Sequence, residues 1–335
     1  MFAEELGAAD QLALLPTYGA FEKYDAGGDA ESLVGHLPPR LRDQTKVFSN
    51  YASFAEQNWM EESPEKPDQI LFLGAGNIDR WAHAFAAIHA HQGNKVSAFS
   101  HFLKRRLSSN SILRKDENLA SKTTMRVGGK ALWYAEPQHT EDLRSLVEAA
   151  NFFSLPRVIL GRGSNLIIPD EGYQGLVLRL RGDFWNEISS RSDDSFVVGA
   201  GSRLKDICKL ACRRGLSGFE FLEGIPGTLG GALRMNAGAM GWEIYDLVEW
   251  VSFLLADGSI RQMPGHQLDV GYRYCKEARE GIALRAKLKA EGRSDHKNIR
   301  SAIKAMAQKR RSSQPREASA GCIFKNPAEK SAGWL

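Results

Sequence analysis

Two glycine-rich segments hold the residue types best suited to chemistry. One reads Gly161-Arg162-Gly163-Ser164-Asn165-Leu166. The other reads Gly224-Ile225-Pro226-Gly227-Thr228-Leu229-Gly230-Gly231-Ala232 and runs on through Met235-Asn236-Ala237-Gly238. Their glycines are too dense for a helix or strand interior, where each costs about 1 kcal/mol relative to alanine. The residues between them are small or apolar, which a solvated linker would not need. A segment of this kind lets the backbone approach a flat or charged ligand and present N–H groups to it. Two such cradles predict a large cofactor with a diphosphate; the alternative is a pair of tight packing turns without a ligand.

Other chemistries find less support. Gly74-x-Gly76 follows an apolar run and has the start of a dinucleotide fingerprint, but Asp79 stands at the third glycine position, and a tight strand-to-helix turn is the simpler reading. No Gly-x-x-x-x-Gly-Lys-Ser/Thr loop occurs in the sequence, so nucleotide binding of that type is excluded. Cys208, Cys212, Cys275 and Cys322 lack paired zinc spacing and fit a reduced cytoplasm. Cys208 and Cys212, four apart, read as a packing pair, and His83, His89 and His91 sit among alanines with no metal-binding pattern. The net charge of +4 with both signs interspersed gives no case for nucleic acid. No apolar run approaches the ~20 residues of a membrane span. The acidic start, with Glu4, Glu5 and Asp10, is unlike a secretory signal.

The elements that must position these segments follow from periodicity. Residues 12–16 predict a short strand, 29–37 a helix, 50–57 a helix, 69–73 a buried strand and 78–92 an amphipathic helix. The basic stretch Lys104 to Lys115 reads as a linker, assigned in full to 96–114. Beyond it, 132–134, 158–160, 176–180 and 196–201 are strand-like, and Thr140 is expected to cap a helix reaching 151. Residues 204–214 predict a helix, 247–258 the start of a hairpin, and 296–310 a helix that Pro315 stops. Mixed α and β with several antiparallel signals reads as an α+β fold.

Both glycine segments, with Ala320-Gly321-Cys322-Ile323-Phe324-Lys325-Asn326-Pro327, resemble UDP-N-acetylenolpyruvoylglucosamine reductases (UDP-N-acetylmuramate dehydrogenases). Asn118-Leu119-Ala120, Thr123-Thr124-Met125-Arg126-Val127-Gly128-Gly129 and Gly271-Tyr272-Arg273 match the same family in order. Residues 1–95 are similar, more diffusely, to the C-terminal domain of UDP-N-acetylmuramate–L-alanine ligase, through Leu12-Ala13-Leu14-Leu15-Pro16-Thr17-Tyr18, Ala30-Glu31-Ser32-Leu33 and Leu71-Phe72-Leu73-Gly74-Ala75-Gly76. The resemblances imply a fusion piece. A partial ligase-like domain occupies 1–95, a linker 96–114, an FAD-binding domain of the PCMH type 115–290, and the start of a truncated substrate domain 291–335.

The resemblance also implies roles. FAD is bound without a covalent link, since residues 161–166 contain no histidine, and NADPH is the co-substrate. Gly161, Arg162, Gly163, Ser164, Asn165 and Leu166 take the diphosphate. Gly224, Ile225, Pro226, Gly227, Thr228, Gly230 and Gly231 line the flavin, with Asn236 and Gly238 beside it. The substrate is UDP-N-acetylglucosamine enolpyruvate, which is reduced by hydride delivered to C3 and then protonated at C2. Arg273 matches the catalytic arginine that stabilises the enolate, and Cys322 falls where many relatives carry the serine that donates the proton. Lys325, Asn326 and, more weakly, Tyr272 match substrate-binding positions. Lys309-Arg310-Arg311 fits either assistance to UDP or a solvated helix end, and Cys275 fits packing behind the site. The family's C-terminal glutamate has no counterpart here, so the competing expectation is an inactive fragment that keeps only FAD binding. Association with ligase domains in the cytoplasm is the implied setting.

Overall fold

The computed structural model describes residues 6, 9–15, 29–48, 54, 70–73, 78–91, 94–313, 317–321 and 325–326. The chain divides into two compact units, residues 1–106 with 149–155, and residues 107–148 with 156–335.

In the first unit, strand β1 (Leu12–Leu14) pairs in parallel with β2 (Thr45–Val47) across helix α1 (Ala30–His36). The Asp29 carboxylate accepts from the Ser32 amide at 2.7 Å and so caps α1. Helix α2 (Ile78–Ala90) buries Ala84, Phe85, Ala87 and Ile88 on one stripe. Phe85 stacks on Phe54, and Phe48 meets Phe54 edge-on. Ile70 and Phe72 pack on this cluster, but residues 70–73 form no strand among the described residues, and Leu71 and Leu73 are exposed. The buried strand expected at 69–73 is therefore corrected: the run alternates inside and outside and has no pairing partner there. Of the helix expected at 50–57 only Phe54 is described, and Gly74 to Asn77 lie outside the described residues.

The expected linker at 96–114 is also corrected. Helix α3 (Lys95–Leu103), capped by Asn94, buries Ala98, Phe99, Phe102 and Leu103, and the two phenylalanines meet Phe152 and Phe153 edge-on.

The second unit opens with β3 (Ile112–Asn118), whose first residues also belonged to the expected linker. It pairs antiparallel with β4 (Lys130–Glu136). Helix α4 (Thr140–Phe152), β5 (Arg157–Ile159) and β6 (Tyr173–Leu178) complete a four-stranded sheet of order β3-β4-β6-β5, with β4, β6 and β5 parallel. Then come β7 (Ile188–Ser192), β8 (Ser195–Gly199), helix α5 (Leu204–Arg213) and the short helix α6 (Leu229–Met235). Strands β9 (Val248–Leu254) and β10 (Ile260–Pro264) form the expected hairpin, followed by the small ladder β11 (Val270–Gly271) and β12 (Tyr274–Cys275). Strand β13 (Ile282–Lys289) closes a five-stranded antiparallel sheet of order β10-β9-β13-β8-β7, and α7 (His296–Ser313) follows.

Every residue of β8 is buried, as a central strand covered on both faces requires. Helix α5 supplies one cover through Leu204, Ile207, Cys208, Ala211 and Cys212, the i, i+3, i+4, i+7, i+8 stripe. The two cysteines are thus a packing pair, and burial pushes the Cys208 thiol up to about 12, which keeps it protonated. No break appears at 290/291. Ile299 is buried, and Ile303 and Met306 of α7 pack against the same core as α5 and α6.

Thr140 is the first residue of α4, and the capping is done by Asp142 instead. Its carboxylate accepts from the amides of Ser108 (2.8 Å), Gln138 (3.1 Å) and His139 (3.2 Å), and from the hydroxyls of Ser108 and Ser111. Burial would raise this carboxyl's pKa, but the hydrogen bonds from Ser108, Ser111 and His139 outweigh it and hold it below the ordinary value. A depressed carboxylate stabilises the fold above its unfolded pKa of about 3.9 and loses that contribution as pH falls through the folded value. Asp142→Ala is expected to destabilise the protein at pH 7 by about 1–3 kcal/mol in denaturant unfolding. Below about pH 3 the difference from wild type should shrink; an unchanged gap would reject the charge-based account.

Candidate functional site

Strand β5 delivers the first glycine segment directly, at the parallel end of the four-stranded sheet. Gly163 has φ +64°, and a Cβ there would lie 2.6 Å from the Lys122 carbonyl and from Thr123 Cα. Only glycine lets this turn settle onto residues 122–124, where the Thr124 amide donates to the Gly163 carbonyl at 3.0 Å. Among the described residues, the backbone N–H groups of Gly161, Arg162, Gly163, Ser164 and Asn165 donate to no protein acceptor. Successive amides without acceptors, one of them on the buried Gly163, form a ready-made anion cradle.

The second segment lies against the first. The Ser164 hydroxyl donates to the Pro226 carbonyl, and a Cβ on Gly161 would meet Thr228 Oγ1 at 2.8 Å. Thr228 caps α6 by accepting from the Gly231 amide, while the Leu229 and Gly230 amides donate to the carbonyls of Ser202 and Ala200. Gly230 is small because a Cβ would lie 3.1 Å from that of Ala200, and Gly224 because one would meet Arg310 Cδ at 3.0 Å. Arg310 therefore packs over the start of this segment and is no bare solvated helix end. Gly227 and Gly231 differ: a Cβ on either would find no protein atom closer than 3.7 and 3.6 Å, respectively. Packing does not require glycine at these two positions, but close approach of a ligand would. Gly161, Thr228, Gly230 and Gly231 share one cleft with Leu160, Leu180, Ala200 and Ile282. A cavity of 470 Å³ lined by Asp116, Asn118, Lys130, Asp170 and Glu171 shares no residue with either glycine segment, and its acidic wall does not suit a diphosphate.

Arg273 sits with Tyr272 in the two-residue turn between β11 and β12. Its φ of +59° is left-handed, and its guanidinium lies 5.6 Å from the centre of the Tyr272 ring. The turn is tied from several sides. Arg279 Nη2 donates to the Arg273 carbonyl (3.2 Å), and Asn236 Nδ2 donates to the Gly271 carbonyl (3.2 Å) and to Glu243 Oε2 (2.6 Å). Behind it, the Tyr245 hydroxyl donates to Cys275 Sγ at 3.0 Å, and burial raises the pKa of both groups. Cys275 is therefore a packing residue behind the turn.

Asn236 is expected beside the cofactor, but its amide nitrogen is committed to the hairpin. The residue is buried at 2% exposure and ends α6 at φ +40°. Gly238 faces β-paired Glu243, and a Cβ there would lie 2.7 Å from the Trp242 carbonyl, so this glycine serves chain packing. The C-terminal motif returns to the same region. Gly321 lies against Asn165, with its Cβ position 3.1 Å from Oδ1, and the Asn326 amide meets the Tyr272 hydroxyl at 3.4 Å. Lys325 is exposed beside it. Cys322, between these two anchor points in sequence, lies outside the described residues. The position of Asn236 depends on tertiary contacts and left no signal in the sequence beyond its tolerance of a left-handed backbone.

Cleft, cradle and mixed sheets define a flavin-binding class of protein, and the FAD binding domain family matches residues 131–263. The UDP-N-acetylenolpyruvoylglucosamine reductase of Anoxybacillus flavithermus is 35% identical over 226 residues, covering 67% of this chain and 74% of that protein. The enzyme of the same name from Clostridioides difficile is 37% identical, over 67% of this chain and 73% of its own length. The crystal structure of the reductase (MurB) from Thermus caldophilus matches with a TM-score of 0.58 and 36% identity, over 67% of this chain and 79% of that one. The chain belongs to the UDP-N-acetylenolpyruvoylglucosamine reductase family.

The two kinds of glycine should separate by experiment. Gly163→Ala is expected to lower the stability of the cofactor-free protein, because its Cβ meets backbone. Gly231→Ala should leave that stability unchanged or raise it by up to about 1 kcal/mol, while weakening FAD binding. Thermal unfolding of the apoproteins and FAD titration check both; a Gly231→Ala protein that binds FAD as wild type does would count against the cleft.

Proposed function

We propose that this chain is an NADPH-dependent flavoenzyme that reduces UDP-N-acetylglucosamine enolpyruvate to UDP-N-acetylmuramate, a step of peptidoglycan precursor synthesis. The observation that carries the reading is the run of acceptor-less amides at residues 161–165, set against a second glycine segment with room for a ligand at Gly227 and Gly231. Gly161 to Asn165 would hold the diphosphate, and the cleft between Gly161 and Thr228 to Gly231 would take its other side with the adjoining part of FAD. When bound, the flavin supplies the redox chemistry, passing hydride from NADPH to C3 of the enolpyruvyl group.

The chain's own residues manage the charge that follows. Hydride addition at C3 leaves negative charge at C2, delocalised into the carboxylate as an enolate. Arg273 is the fixed cation for it: a guanidinium keeps its charge at any working pH and offers a planar fork to a carboxylate-like anion. Its turn is held by Asn236 and Arg279, so little reorganisation accompanies the developing charge. Cys322 is proposed as the proton donor to C2. An unperturbed thiol, with pKa of about 8.5, is a far stronger acid than the alcohol of the relatives' serine. Lys325 and Asn326, with Tyr272, are proposed to meet the substrate's anionic groups.

Residues 1–95 are proposed to be the ligase-like segment of a fusion, on the strength of the motifs quoted for it, and the setting is proposed to be cytoplasmic. Among the described residues no helix is long and apolar enough to cross a membrane.

Purified protein should carry flavin and oxidise NADPH when the enolpyruvyl substrate is added; a flavin-free product would reject the reading. Arg273→Lys is expected to lower kcat by about a hundredfold or more while leaving flavin reduction by NADPH alone unchanged. Cys322→Ser should keep substantial activity and Cys322→Ala should lose it. Equal rates for the two cysteine variants would remove that thiol from the mechanism.

A further inference from the structure

We propose that Arg234 is a cofactor-binding residue whose guanidinium pairs with the diphosphate of bound FAD; this assignment rests on the flavoprotein reading above. Helix α6 places Arg234 in its last turn, where the side chain lines the same cleft as Gly161, Thr228 and Gly231. Among the described residues that line this cleft it is the one charged side chain. The other described cleft residues are apolar, glycine or the capping threonine, and none of them offers an ionic partner to an anion.

The guanidinium is tethered but not neutralised. Nη1 donates to the carbonyls of Ala278 (2.9 Å) and Arg279 (3.4 Å), and among the described residues no carboxylate pairs with the group. Nε and Nη2 have no partner among those residues. An arginine fixed at one nitrogen has already lost much of its rotamer freedom, so pairing its remaining N–H groups with an anion costs little further ordering. The amides of residues 161–165 supply dipoles but no net charge, and a diphosphate taken out of water needs a cation as well. Arg162, on the turn itself, is exposed like Arg234 but does not line the cleft, whereas Arg234 does and is tethered at Nη1. Both glycine segments contribute to the cleft walls, which selects the resident dinucleotide over NADPH or the UDP-sugar as the partner of Arg234.

The test is FAD titration of the apoprotein, followed by flavin fluorescence, for wild type, Arg234→Gln and Arg234→Lys at low and high salt, with riboflavin as the phosphate-free probe. Arg234→Gln is expected to raise the Kd for FAD about tenfold or more and to flatten its salt dependence. Arg234→Lys should recover part of the affinity, and riboflavin binding should not change. Thermal midpoints of the three apoproteins establish that each is folded. Wild-type affinity for FAD in Arg234→Gln, equal loss in Arg234→Gln and Arg234→Lys, or an equal loss for riboflavin would overturn the assignment. A changed NADPH KM at unchanged FAD affinity would overturn it too. Wild-type apoprotein that binds no FAD would instead bring down the flavoprotein reading, and this assignment with it.

Discussion

Backbone N–H groups almost always find acceptors in a folded protein, because a buried amide without one costs free energy comparable to a lost hydrogen bond. In the turn after β5 the amides of residues 161–165 meet no acceptor among the described residues, and the buried Gly163 departs from that rule outright. The turn keeps its shape through contacts that leave the amides untouched: the Gly163 carbonyl accepts from Thr124, and the Ser164 side chain reaches the Pro226 carbonyl. These bonds use the carbonyl and hydroxyl of the turn and leave its donors for a ligand. Everything else at the site is arranged around that unspent set of donors.

Gly163 is what makes this economical. Its left-handed φ and its approach to the backbone of residues 122 and 123 let the turn rest on the segment Ala120 to Thr124 instead of on its own amides. The second glycine segment is then locked against the first by Ser164 and Thr228, across 62 residues of sequence. The three-stranded parallel part of one sheet and the antiparallel strands of the other thus deliver two loops to one cleft, which neither sheet could line alone.

Much of this was legible in the sequence. Glycine density marked both turns, since no regular element tolerates it, and the period of Leu204, Ile207, Cys208, Ala211 and Cys212 marked α5. What was missed has a common cause, namely polar or apolar residues whose partners are distant in sequence. Ser108 and Ser111 looked like linker residues, yet they bond to Asp142, more than thirty positions away. Leu71 and Leu73 made residues 69–73 look like a buried strand, but a strand also needs a neighbour to pair with. Asn236 reads in the sequence as part of the cofactor loop because of its glycine neighbours, and nothing local announces that its amide nitrogen bonds to Gly271 and Glu243. Local pattern reveals where backbone must be unusual; it does not reveal which distant group a side chain will meet.

Those distant pairings also bear on how cofactor and substrate chemistry are kept in register. Helix α6 has only seven residues, yet both of its ends are engaged. Its capping Thr228 faces the first glycine turn, and Asn236, which ends it, holds the Gly271 carbonyl one residue before the Tyr272-Arg273 turn. Between them, Arg234 donates to the carbonyls of Ala278 and Arg279, and Arg279 in turn donates to the Arg273 carbonyl. The cradle and the turn that carries Arg273 are therefore fixed to one short rigid element instead of to separate loops. Hydride transfer and enolate stabilisation must occur on adjacent carbons of one small group, and misplacement by about 1 Å can cost a hundredfold in rate. A seven-residue helix bonded at both ends spans that distance with little slack, the connection being made by the side chains of Thr228 and Asn236 and by a single nitrogen of Arg234.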